Sequence, residues 1–148
     1  MKTHKDFRDF ISLMNANGVE YVIVGSFALS FLGYPRATGD IDLWVRRSPE
    51  NASKMMKVLD VFGFGGLGVT TADFMGDKVI QLGQPPVRID LMTELDGLTS
   101  DEIWAGRAAG KFGDMPVFYL GRDAFVRNKQ ALGRHKDLAD LEALGEKV

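Results

Sequence analysis

The chain has 148 residues, 45% of them hydrophobic and 10% aromatic, enough to bury one sizeable core and too few for two, so a single domain over residues 1–148 is expected. A formal charge of −2 argues against a protein held on nucleic acid by charge alone, because such binding rests on clustered Lys and Arg neutralising phosphates. The absence of cysteine excludes disulfide frameworks, thiolate zinc sites and cysteine nucleophiles, and makes a reducing cytoplasm the expected compartment.

The pattern opens with a helix: Thr3 and Asp6 form a start signature, and Phe7, Phe10, Ile11 and Met14 recur at helical spacing until Asn17 and Gly18 stop them. Charges at positions 5, 6, 8 and 9 interrupt this stretch, so neither a signal peptide nor a membrane span is expected. Residues 21–24 are apolar on both faces, as in a central strand, and residues 27–32 read as a short helix ended by Gly33. Residues 33–39 form a loop by their Gly and Pro content. The strand DIDLWVR follows, then a helix over 49–62 with Met55, Met56, Leu59 and Phe62 as its buried stripe. Residues 63–76 are glycine-dense and without period, and are expected to form a loop holding one short strand. KVIQLG and PVRIDLM read as two strands joined by a turn at Gln84, Pro85 and Pro86, and GKFGDMPVFYL as an edge hairpin. Helices over 123–132 and 136–144 close the chain at Gly133 and Gly145, the second with Leu138, Leu141 and Leu144 inward.

Chemistry concentrates on two of these strands. Side chains alternate along a strand, so Asp40 and Asp42 share one face while Ile41, Leu43 and Val45 line the other. At about 3.3 Å rise per residue the two acids stand roughly 6.6 Å apart, close enough for oxygen ligation of one divalent cation or two neighbouring ones. In VRIDLMT, Val87, Ile89 and Leu91 share a face, and Asp90 is the acid on the other, with Arg88 and Met92. If the two strands are neighbours, the three acids converge at one sheet edge. Gly25 and Ser26 stand at a strand-to-helix turn, where free backbone N–H groups can hold phosphate oxygens. A serine at a helix start also serves as a plain N-cap, and alternating acids also mark a solvated sheet face; it is their joint order that favours a site. Arg36 and Thr38, in the loop before the acids, can reach a donor phosphate or remain solvated. His4 and His135 lack partners at ligand spacing and read as surface residues, and Trp44 and Trp104 read as packing.

GSFALSFLGYPRATGDIDLWV followed by VRIDLMT resembles the active-site signature of the nucleotidyltransferase (DNA polymerase beta-like) superfamily in its minimal bacterial form. The tail FVRNKQALGRHKDLADLEAL resembles the closing segment of small bacterial nucleotidyltransferases related to the abortive-infection toxin group. The resemblance implies an α/β (α+β) fold, with a short mixed β-sheet flanked by helices, a catalytic core over about 20–92 and two closing C-terminal helices within about 122–145. It implies transfer of a nucleoside monophosphate from an NTP, ATP above others, to a hydroxyl, with Mg²⁺ or Mn²⁺ as cofactor. It places phosphate contact on Gly25 and Ser26, metal binding on Asp40 and Asp42, and metal binding or base catalysis on Asp90. It also implies a basic residue facing the triphosphate at Lys129, and a Lys-Asp-x-x-Asp pattern at Lys136, Asp137 and Asp140 that shapes the pocket; helix capping by Asp137 and solvated charge is the alternative. The acceptor does not carry over, and a small molecule, a tRNA end or a protein side chain all stay open. Larger relatives carry an extra helical domain, which leaves a partner protein or second protomer to complete the site. The competing reading is a binding module of this fold acting in a toxin–antitoxin pair or another regulatory role. Three intact carboxylates favour the enzyme.

Overall fold

The computed structural model describes residues 2–35, 39–63, 65, 67–84 and 87–146. Helix α1 (Lys2–Ala16) buries Phe7, Phe10, Ile11 and Met14 completely, the stripe its periodicity predicts, and leads into strand β1 (Tyr21–Val24), buried on both faces. Gly25 has φ +65° and turns β1 directly into α2 (Gly25–Phe31), so the helix starts two residues earlier than its sequence pattern indicates. Strand β2 (Asp40–Val45) alternates as expected, with Ile41, Leu43 and Val45 buried and the two aspartates half-buried. Trp44, on the aspartates' face, is nevertheless fully buried, with its indole Nε1 satisfied by the Thr93 carbonyl at 3.1 Å.

Helix α3 (Pro49–Phe62) starts where Ser48 accepts a hydrogen bond from the Asn51 backbone N–H at 3.1 Å, and it stops at Gly63 in the left-handed region. Met55 and Leu59 are buried as predicted, with Ala52 and Val58 beside them, whereas Met56 and Phe62 pack only partly against the core. Edge-on ring contacts of Phe7 with Phe27 and of Phe10 with Phe62 tie α1 to α2 and α3. Among the described residues of 63–76 there is no strand, and a 3₁₀ turn (Thr71–Phe74) stands in place of the expected one. Thr70 and Asp73 form a capping box there, and Phe74 is buried, which fixes a helical turn where alternation is absent.

Strands β3 (Ile80–Gln84) and β4 (Val87–Met92) pair antiparallel; Pro85 and Pro86 of the expected turn lie outside the described residues. A short helix, α4 (Ser100–Ala105), follows, capped reciprocally by Thr99 and Glu102. Strands β5 (Ala108–Phe112) and β6 (Met115–Tyr119) form the expected hairpin, but only β5 is an edge, since β6 pairs parallel with β1. Helices α5 (Arg122–Leu132) and α6 (His135–Ala143) pack against each other. The six strands lie in the order β3-β4-β2-β1-β6-β5, with β2/β4 and β1/β6 parallel and the other pairs antiparallel. This is the mixed sheet flanked by helices that the sequence predicts. Among the described residues no helix is long and apolar enough to cross a membrane.

Candidate active site

The parallel β2/β4 register sets Asp42 directly opposite Asp90 and Asp40 opposite Arg88, while the antiparallel β1/β2 register sets Val24 opposite Asp42. The three acids predicted from strand alternation therefore share one face, and Gly25 follows directly on the strand partner of Asp42. A Cβ at Gly25 would be driven into Asp42 Oδ2, so the glycine is required both by its backbone and by that contact. Ser26 stands in the first turn of α2, whose N-cap position is Val24 with no side-chain cap bond, so its hydroxyl is not spent as a cap there. Gly25→Ala is expected to cost at least about 1–2 kcal/mol through the left-handed backbone alone, and to push the Asp42 carboxylate aside. Thermal unfolding measures the first effect. A variant as stable as the parent would contradict this account of the turn.

The acids interact strongly. Burial above all, then the charges of Asp90 and Asp40 and a hydrogen bond with the Asp90 side chain, push Asp42 up to about 6, against a smaller pull from Lys129. Arg88 answers the other two acids: its Nε donates to Asp90 Oδ1 at 2.8 Å, and its Nη2 donates to Asp90 Oδ2 at 3.1 Å and to Asp40 Oδ2 at 3.3 Å. Sequence alternation puts Arg88 on this face but does not reveal the fork. Among the described residues no three carboxylates or imidazoles stand ready as a metal cage. The donors nevertheless suit a hard divalent cation. They are all carboxylate oxygens, and Asp42 and Asp90 are register partners on adjacent parallel strands.

A cleft of about 310 Å³ opens over this face, lined by Gly25, Asp42, Met92, Asp96, Lys129 and Arg134 among others. Lys129, on α5, is 12% exposed and sits 3.2 Å from both Asp137 Oδ1 and Asp140 Oδ2. Those two acids are 0% and 3% exposed, so they belong to the buried face of α6 beside Leu141, and neither is solvated charge. Arg134 holds Asp137 further, through Nε at 2.6 Å and its backbone N–H at 3.1 Å. Burial pushes the Asp137 carboxyl upward, but Arg134 and Lys129 outweigh it and bring it down to about 2. Asn128, also buried, donates to the Asp96 carbonyl at 2.9 Å and fixes α5 to the loop after β4. Gly25, Asp42 and Lys129 thus meet in one cleft, with Asp137 behind the lysine. Lys136 is exposed and is not among the cleft's lining residues, and Arg134 stands where a second cation was expected. Arg36 and Thr38 lie outside the described residues. Of the remaining expectations, His135 is exposed and Trp104 packs under the Arg107 guanidinium, 3.9 Å from its ring centre.

No family model and no curated protein sequence matches the chain. Among solved structures it is similar to a Thermotoga maritima protein proposed to be a nucleotidyltransferase, with a TM-score of 0.55 and 16% identity over 94% of this chain and 88% of that one. It is also similar to the lincosamide antibiotic adenylyltransferase LnuA in its lincomycin-bound form, with a TM-score of 0.51 and 14% identity over 95% of each chain. At such identities it is the fold that is shared. The chain has the nucleotidyltransferase fold, with a six-stranded mixed sheet between helices.

Proposed function

We propose that the chain is a nucleotidyltransferase that moves a nucleoside monophosphate from an NTP, ATP above others, to a hydroxyl and releases pyrophosphate. The observation that carries this reading is the register that sets Asp42 against Asp90 on parallel strands, with the Gly25 turn pressed on Asp42. Gly25 brings the chain from β1 into α2 at Asp42, so donor phosphates approach the first turn of the helix, where Ser26 adds a hydroxyl donor. Lys129, already within the electrostatic reach of Asp42, offsets charge on the triphosphate. Asp40, Asp42 and Asp90 would hold Mg²⁺ or Mn²⁺, which when bound neutralises phosphate charge and makes a hydroxyl more acidic. Asp90 takes the acceptor's proton as the hydroxyl oxygen attacks the α-phosphorus, and the α–β bridging bond breaks with its electrons on pyrophosphate. The adenylyltransferase neighbour, solved with lincomycin, supports a small-molecule hydroxyl as acceptor.

Label transfer from α-³²P NTPs into small-molecule extracts, tRNA and cell protein, run beside a titration with MgATP, tests the reading. Asp90→Asn is expected to bind MgATP within a few-fold of the parent while transfer falls by about 10²–10⁴-fold, the scale of one positioned base. Binding by the parent without transfer to any acceptor would replace the enzyme by the binding module.

A further inference from the structure

We propose that Arg88 is a built-in stand-in for the divalent cation: its guanidinium gathers Asp40 and Asp90 in the metal-free protein and is displaced from them when a cation binds. The inference rests on the reading of the three acids as a cation site. Its geometric basis is the fork itself, which occupies both Asp90 oxygens and Asp40 Oδ2 at 2.8–3.3 Å. A doubly charged ion on the same oxygens would meet a fixed positive charge within a few ångströms. The two cannot share the acids comfortably, and only the arginine can leave while staying attached to the chain. The register partner of Arg88 on β3 is Gly83, which presents no side chain against which the guanidinium must pass.

The role differs from plain structural pairing in what its removal does. Losing a structural ion pair costs stability and leaves a cation site no better, whereas losing a stand-in costs stability only in the empty protein and improves the cation's hold. Arg88→Gln is therefore expected to melt below the parent in chelator and to bind Mn²⁺ about tenfold more tightly in a calorimetric titration, equal to about 1.4 kcal/mol. Arg88→Lys separates occupancy from charge: it keeps the cation but loses the fork. It is expected to bind Mn²⁺ more tightly than the parent and less tightly than Arg88→Gln. In ¹⁵N-labelled parent, the Arg88 Nε–H resonance, assigned by its absence from Arg88→Lys, is expected to lose its carboxylate-bonded shift on addition of Mg²⁺. If the parent binds Mn²⁺ and Arg88→Gln binds it no more tightly, or the Nε–H signal ignores Mg²⁺, the stand-in is refuted and the proposed activity stands. If neither protein binds Mn²⁺, the acids are no cation site and both fall.

Discussion

In the absence of divalent cations, Asp42→Asn is expected to unfold well above the parent at pH 7 and at nearly the same temperature at pH 4. Burial, then Asp90 and Asp40, raise the Asp42 carboxyl from its ordinary 3.8 to about 6, so the folded protein keeps a proton that the unfolded chain releases. The parent's stability from this group is thus fully present below pH 4 and is lost as pH rises through 6. The shift corresponds to at most about 3 kcal/mol at neutral pH. At roughly 2–4 °C per kcal/mol for a chain near this size, that is a gain of up to about 10 °C for the neutral amide. Melting curves in chelator across pH 4–8 measure the difference between the two proteins. A variant less stable than the parent at pH 7 would mean that Asp42 is held for the fold.

Lys129→Met is expected to act in the opposite sense and to cost about 3–5 kcal/mol, the usual scale for removing one partner of a buried ion pair. The ammonium is 12% exposed and neutralises Asp140 and part of Asp137, both buried. Asp137 keeps Arg134 in the variant, and Asp140 loses its pair with the lysine. Adding Asp140→Asn to Lys129→Met is accordingly expected to recover much of the stability, as urea unfolding of the single and double variants would show. A loss under about 1 kcal/mol, or no recovery in the double variant, would contradict a buried lysine clamp between α5 and α6.

The acids were legible in the sequence because strand alternation is a local property: DIDLWV and VRIDLM each fix which side chains share a face without reference to the rest of the fold. That Asp42 faces Asp90 is not local. It depends on β4 pairing parallel with β2 while β1 pairs antiparallel on its other side, a choice set by the packing of distant segments. Helix α4 escaped a reading by apolar period because six residues carry too few turns to show one, yet its Thr99–Glu102 capping box is written plainly in the sequence. On α6 the leucines alone carry the apolar period. The buried face also carries Asp137 and Asp140, which become tolerable inside only because Lys129 arrives from another helix. The same holds for Arg88: its place on the acids' face follows from alternation, but its bond to Asp40 needs β4 to lie beside β2.

Titrating the protein with a non-hydrolysable ATP analogue by calorimetry, with and without Mg²⁺, tests most directly whether the Gly25 turn, Asp40 and Asp42 form a cation-dependent triphosphate site. Saturable binding is predicted in Mg²⁺, with little in chelator and little in Asp42→Asn under either condition. Binding that is equal with and without Mg²⁺, or that survives Asp42→Asn unchanged, would contradict the assignment.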